Sequence, residues 1–141
     1  MAQKYIIGDL VRYTSLYKEP IAEICEIRET SYLIRYMNGN FAKVTNKEIK
    51  PIPITPEILE KNGWGKVVMS RGVSNKHFVY TKPDIEEYGY FPIYIEKGIG
   101  KEFDVYPFTD NHDCKQIAYI KNVHQLQHLL FGLGLNSEME V

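Results

Sequence analysis

The sequence has too few cysteines to be held together by disulfides. Its 141 residues include two, Cys25 and Cys114, and one pair does not make the framework of a secreted disulfide-rich domain. A chain of this length can bury roughly two thirds of the surface that its unfolded form exposes. We therefore expect it to fold on a hydrophobic core, as one domain or two small lobes, with both thiols free.

Long apolar runs and a strong net charge are also missing. No run approaches the roughly 20 apolar residues of a membrane span, and residues 1–5 lack the apolar core of a signal peptide. The net charge is −1, which gives no overall attraction to nucleic acid or to an anionic membrane. We therefore expect a cytoplasmic protein that does not associate with membranes.

Recognisable catalytic sequence motifs are absent as well. Gly98 and Gly100 fit a turn and not a phosphate-binding loop. Cys25 or Cys114 beside a histidine has the residue types of a nucleophile and its base, but nothing in the sequence brings them together. We therefore expect no cofactor and favour a non-enzymatic protein.

One weak metal-binding candidate combines a loop with a helix. Two histidines four residues apart on a helix share a face, as a metal site requires. Their spacing from the upstream His/Cys pair fits no known zinc motif, and two histidines on the polar side of a helix are usually solvated. We therefore predict no metal site, with one candidate set: His112, Cys114, His124 and His128.

Aromatic residues are plentiful, with 11 Tyr, 6 Phe and 1 Trp, and Tyr and Phe favour strands. Residues 1–53 contain five short strand-like runs, within 7–13, 21–27, 31–37, 40–45 and 49–52. The second run is interrupted, which suggests a bulge. Asn38-Gly39 is a strong hairpin signal, because a type I′ turn needs positive φ at both central residues. Five short strands in so few residues predict a small, strongly bent β-barrel.

The stretch from Pro51 to Trp64 predicts a short helix that joins two lobes. Thr55 fits the N-cap, and Pro56 the first helical position, where no N–H is needed. Gly63 supplies the left-handed residue after the helix, which lets Trp64 pack back on Leu59. The fold that follows at residues 54–141 is predicted as an antiparallel β-meander covered by a C-terminal amphipathic helix.

The meander is predicted from strand patterns at 66–70, 76–81, 90–96, 102–108 and 116–120. The helix is predicted from about 122 to 131, with an apolar arc on one side. The polar residues His124, Gln127 and His128 are expected on the side away from that arc. The predicted class is therefore α+β, with lobes at 1–53 and 54–141 that form one compact unit.

The N-terminal lobe resembles KOW- or Tudor-type small barrels, through Gly8-Asp9-Leu10-Val11, the long loop that follows and the Asn38-Gly39 hairpin. In such barrels, ligands meet that loop and hairpin. The resemblance, with Arg35 as a neighbouring cation, implies one candidate binding face: Tyr13, Tyr17, Arg35, Tyr36, Asn38 and Phe41. An alternative is that Tyr32 and Tyr36, or Phe41, fill the core of the barrel.

Two passages carry a wider resemblance. They are Pro-Ile-Pro-Ile-Thr-Pro-Glu-Ile-Leu-Glu-Lys-Asn-Gly at 51–63 and Val-His-Gln-Leu-Gln at 123–127. They resemble a group of short uncharacterised proteins of gut anaerobes and their phages and mobile elements. The resemblance implies a single α+β unit and a phage-related setting, and it transfers no catalytic residue. Members often have another polar residue at the position of His128.

These observations favour a binding protein that acts through protein–protein contacts. Tyr88 and Tyr90, beside the acidic residues at 84–87, form a second candidate surface, since aromatics are enriched at interfaces; the alternative is that they face the core.

A nucleic-acid-binding accessory protein is the second hypothesis, based on basic residues near the aromatics of the first lobe. A small-molecule or nucleotide-binding protein is the third. The sequence does not indicate an oligomeric state.

Overall fold

The computed structural model describes residues 4–36, 39–71, 75–82, 93–98, 100, 102–107 and 116–141. These residues form ten β-strands and two α-helices, which confirms the predicted α+β class. The first five strands are β1 (Leu10–Tyr13), β2 (Ile21–Ile27), β3 (Tyr32–Tyr36), β4 (Asn40–Val44) and β5 (Ile49–Pro51). The others are β6 (Gly65–Arg71), β7 (Asn75–Thr81), β8 (Ile93–Lys97), β9 (Phe103–Pro107) and β10 (Ala118–Ile120). The helices are α1 (Pro56–Lys61) and α2 (Val123–Gly132).

The described part of the chain divides into two compact units. The first combines the described residues of 1–53 with residues 122–139 and residue 141, and the second combines those of 54–121 with residue 140. Among the described residues, no helix is long and apolar enough to cross a membrane.

The first unit contains an antiparallel sheet in the order β4-β3-β2-β1-β5. The predicted bulge is present in β2, where the register with β3 shifts between Ile24 and Glu26. Among the described pairings the sheet is open, with β4 and β5 at its edges. The five predicted strands are therefore confirmed. Their closure into a barrel is not, because β4 and β5 do not pair with each other among the described residues.

Alternation along these strands produces one buried face. Val11, Ile24 and Ile34 are fully buried, and Tyr5 joins them from the segment before β1. Residues directly opposite one another in antiparallel strands share a face. The register therefore places Phe41, Arg35 and Glu23 together on the other face of the sheet.

Helix α1, in the second unit, has the predicted ends. The Thr55 hydroxyl accepts a hydrogen bond from the N–H of Ile58 at 3.2 Å. Gly63 has φ +86°, and the Trp64 N–H donates to the carbonyl of Leu59 at 3.0 Å. This is the Schellman arrangement, which satisfies carbonyls that a helix end otherwise leaves orphaned. Leu59 and Trp64 are both buried.

The second unit also contains a sheet of five strands among its described residues, in the order β10-β9-β8-β7-β6. Each strand is antiparallel to the next, as predicted for a meander. Ile95 and Val105 lie opposite one another and are fully buried. On the other face Glu96, Asp104 and Tyr119 lie side by side on β8, β9 and β10.

The structure differs from the sequence prediction at helix α2. The prediction places this helix on the meander, whereas the structure groups it with the first sheet. The apolar arc also predicts that His124 and Gln127 face away from the core, yet both are buried. They are buried because Gln127 bonds to Gly8 and Leu10, and because the His124 ring packs against Tyr5.

Candidate binding cleft

A tight turn at residues 6–9, ahead of β1, is the foundation of the candidate site. The Asp9 N–H donates to the Ile6 carbonyl at 3.2 Å, and the Ile6 N–H donates to Asp9 Oδ2 at 2.8 Å. Gly8 has φ +95°, a conformation that side chains strongly disfavour. Its N–H donates to the carbonyl of Ile24 in β2 at 2.8 Å. The turn is therefore fixed to the sheet by its own backbone.

Gln127 of α2 fixes the same turn from the other side. Its Oε1 accepts a hydrogen bond from the Leu10 N–H at 3.0 Å, and its Nε2 donates to the Gly8 carbonyl at 3.0 Å. The Gln127 side chain is buried, and a buried amide requires partners of this kind. One side chain thus satisfies two backbone groups more than a hundred residues away in sequence.

His128, the next residue, contacts the carboxyl group of the turn. Its Nε2 lies 2.9 Å from Asp9 Oδ1 and 2.8 Å from Asp9 Oδ2. Asp9 is 1% exposed, whereas the His128 side chain is 31% exposed. Burial raises the pKa of Asp9, and this rise is opposed by the hydrogen bond from the Ile6 N–H and by His128. The pair links the inside of the turn to the helix surface.

His124 lies one helical turn before His128 and is buried against Tyr5. The ring centroids of His124 and Tyr5 are 5.0 Å apart, and those of His124 and His128 are 5.5 Å apart. Burial lowers the pKa of His124 to about 4, with smaller contributions from His128 and Lys4. Its Nδ1 has no hydrogen-bond partner among the described residues. Burial also raises the pKa of Tyr5 to about 12.

The turn and the C-terminal end of α2 border a cleft of about 270 Å³. Two large apolar side chains line it and remain in solvent: Ile7 is 66% exposed and Phe131 is 69% exposed. Phe131 is four residues after Gln127, so the two lie on neighbouring turns of the same helix face. The other lining residues are Ile6, Gly8, Asp9, Glu23, Gln127, Ser137 and Glu138.

The residues predicted to form one binding face lie on different sides of the first sheet. Tyr13 and Tyr36 pack against the core and against each other, with ring centroids 5.2 Å apart. Phe41 is 60% exposed on the opposite face. Beside it, Arg35 donates to Glu23 at 2.6 Å. Tyr17, in the loop after β1, is 90% exposed.

Other predicted residues lie outside the described residues: Asn38, Tyr88, Tyr90, His112 and Cys114. Within the described residues, no group of three potential ligands could hold a metal ion. Cys25 is half-buried, and its thiol donates to the backbone carbonyl of Glu23 at 3.6 Å. Among the described residues, the contact of the Cys25 thiol is therefore to a backbone carbonyl and not to a histidine.

Sequence reasoning missed Ile7, Asp9, Gln127 and Phe131 as members of one site. One signal was available: His124, Gln127 and His128 recur at spacings of three and four, which is a polar stripe along the helix. A stripe of this kind beside leucines indicates that the helix packs against polar groups. The sequence does not say that those groups belong to residues 6–10.

Comparisons with protein-family models, with curated protein sequences and with solved structures find no match to this chain.

Proposed function

We propose that this protein is a non-enzymatic binding protein that holds a segment of a protein partner in the cleft between the 6–9 turn and α2. One observation carries the proposal. Ile7 and Phe131 both line one cleft, and each exposes about two thirds of its surface. Large apolar side chains grouped in solvent mark interaction surfaces, and aromatic side chains are enriched at the centre of interfaces.

The backbone that bears these side chains is held in place before any partner arrives. The turn that presents Ile7 is bonded to Ile24, to Gln127 and, through Asp9, to His128. Pre-organisation of this kind lowers the entropy lost on binding. The cleft volume, about 270 Å³, is near the lower limit of about 300 Å³ for small-molecule pockets. A side chain or two of a protein segment therefore fits it better than a whole cofactor.

Nucleic-acid binding by the first sheet is the second candidate, and Phe41 supports it. This exposed ring lies beside Arg35, and Lys43 follows on the same face of β4. Against it, Glu23 already pairs with Arg35, and Tyr13 and Tyr36 are on the other face. A gel shift with single-stranded RNA at low salt tests this alternative, because phosphate contacts are strongest there. No shift, or equal shifts by wild type and Phe41→Ser, would reject it.

The main proposal is tested by selecting displayed random peptides on the purified protein. Peptides selected on the wild type should lose about tenfold in affinity for Ile7→Ser and Phe131→Ser, as expected for residues at the centre of an interface. Phe41→Ser is the matched control, because it removes an exposed ring of the same unit that does not line the cleft. Peptides that bind Phe131→Ser as tightly as the wild type would contradict the proposal.

A further inference from the structure

The cleft has a one-sided charge. Three of its lining residues carry carboxyl groups: Asp9, Glu23 and Glu138. No lysine, arginine or histidine is among its described lining residues. The titratable groups among these lining residues are therefore all acidic, although the net charge of the whole chain is only −1.

Two of these carboxyl groups have a partner outside the lining, and the third has none among the described residues. Asp9 contacts His128 at 2.8 Å, and Glu23 pairs with Arg35 at 2.6 Å. The exposed Glu138 side chain forms no hydrogen bond or ion pair with any described residue; only its backbone N–H donates, to Asn136 Oδ1. Glu138 is therefore the group that a partner covering the cleft would have to compensate.

A purely apolar partner would bind the cleft with lower affinity, because it would cover Glu138 without pairing with it. Contact with Ile7 and Phe131 brings the partner over Glu138 and removes water from that carboxylate. Burial of an unpaired charge is costly, whereas a charge that gains an opposite partner recovers much of the loss. Opposite charges across an interface also select the partner and accelerate association.

We infer that the partner segment presents a lysine or arginine next to apolar side chains, with the cation placed at Glu138 and the apolar groups between Ile7 and Phe131. The inference rests on the proposed function, because it names the partner's chemistry at the same cleft. The apolar groups of the segment provide most of the affinity, and its cation makes the cleft selective for basic segments.

Three short fluorescein-labelled peptides test the inference by fluorescence anisotropy. They alternate leucine with lysine, with serine or with glutamate, and are titrated with the full-length protein. The lysine peptide should bind most tightly and the glutamate peptide least. Glu138→Gln should weaken the lysine peptide by about fivefold, in the range of rim charge pairs, and should leave the serine peptide unchanged. Glu29→Gln, an exposed glutamate of the same unit outside the cleft, is the matched control and should change neither.

The results separate this inference from the proposed function. If the serine and lysine peptides bind equally and both are weakened by Phe131→Ser, the cleft binds protein segments but the basic partner is excluded. If the lysine peptide binds wild type, Phe131→Ser and Glu138→Gln with the same affinity, both the inference and the proposed function are overturned. Loss of lysine-peptide binding in Glu29→Gln as large as that in Glu138→Gln would show general charge attraction and overturn the inference alone.

Discussion

The two helices of this protein end in the same way but are held in different ways. Gly63 after α1 and Gly134 after α2 both have positive φ, and in both the next residue's N–H bonds back to a helix carbonyl. At its start, α1 shows the local signals of an N-cap, a proline and a first-turn glutamate. Helix α2 also has a local cap contact, since the Asn122 N–H donates to Gln125 Oε1 at 3.0 Å. In addition, its buried Gln127 and half-buried His128 contact a turn more than a hundred residues earlier.

The difference shows which contacts hold each helix in its position. A short helix such as α1 needs its caps, because isolated helices of a few turns are marginal in water. Helix α2 also needs polar partners of defined geometry, and those partners shape the cleft that we propose as the binding site. Disturbing α1 should therefore cost stability alone, whereas disturbing the polar contacts of α2 should cost stability and binding together.

The largest effect is expected from Gln127→Leu. Leucine has a similar size but leaves the Leu10 N–H and the Gly8 carbonyl without partners, and each unsatisfied group costs about 1–3 kcal/mol. We expect a loss of about 3 kcal/mol in the free energy of unfolding, measured by urea denaturation. Peptides selected on the cleft should also bind more weakly, because the turn that carries Ile7 is no longer fixed.

Gln127→Glu is the matched variant for this prediction. Its carboxylate keeps the acceptor for the Leu10 N–H but has no donor for the Gly8 carbonyl and carries a buried charge, so at pH 7 we expect a loss at least as large. A Gln127→Leu protein as stable as the wild type, with unchanged peptide affinity, would show that the two hydrogen bonds do not hold the turn.

The second effect is a loss of stability in acid caused by His124. Its pKa is lowered from 6.5 to about 4 in the folded protein, chiefly by burial. Below pH 6.5 the unfolded chain binds a proton at His124 that the folded protein does not bind until about pH 4. The free energy of unfolding therefore falls between pH 6.5 and about pH 4. We expect a loss of about 2 kcal/mol between pH 7 and pH 5 from this group.

His124→Phe isolates that contribution. Phenylalanine keeps a ring against Tyr5 and removes the titrating group, whose Nδ1 has no partner among the described residues. The difference in unfolding free energy between wild type and variant should widen in favour of the variant as pH falls. Asp9 acts in the opposite direction, because its raised pKa makes protonation favour the folded state. Parallel pH profiles for the two proteins would contradict the role of His124.

Most of the elements could be predicted from the sequence because their signals are local. Thr55 caps α1, Gly63 ends it and the β2 bulge lies where the apolar pattern is interrupted. Such features depend on a few neighbouring residues, so the pattern of side chains is sufficient to locate them. Consecutive strands pair throughout the second sheet and from β1 to β4 in the first, as expected for antiparallel strands. The pairing of β5 with β1 is an exception that the order of the strands in the sequence does not give.

The candidate site could not be predicted, because its contacts are long-range. Gln127 carries no mark that distinguishes an amide bonded to Leu10 from one in solvent. The leucines of α2 indicated an apolar face, but the buried side of the helix also includes Gln127, which bonds to Gly8, and His124, which packs against Tyr5. The predicted aromatic face also failed to assemble, since Tyr36 and Phe41 have opposite orientations in the sheet.

A smaller effect, equal for the two helices, is expected at their terminal glycines. A Cβ added at Gly63 or Gly134 meets no atom within 4 Å, so the cost comes from the left-handed backbone alone. We expect Gly63→Ala and Gly134→Ala each to lose about 1.5 kcal/mol in urea denaturation. A loss at Gly134 several times that at Gly63 would show that the end of α2 has further constraints, and the comparison of the two helices would have to include them.

The smallest effect is expected at Thr55, the N-cap of α1. Thr55→Ala removes the hydroxyl that accepts from the Ile58 N–H at 3.2 Å, and a lost cap costs about 1 kcal/mol. Thr55→Ser keeps the hydroxyl and should lose less than half of that amount. Because α1 gets this bond from its own segment, the alanine variant should bind cleft-selected peptides with unchanged affinity, although it is less stable. If Thr55→Ala instead weakens peptide binding as much as Gln127→Leu does, then binding follows general stability, and the polar contacts of α2 have no separate role in shaping the cleft.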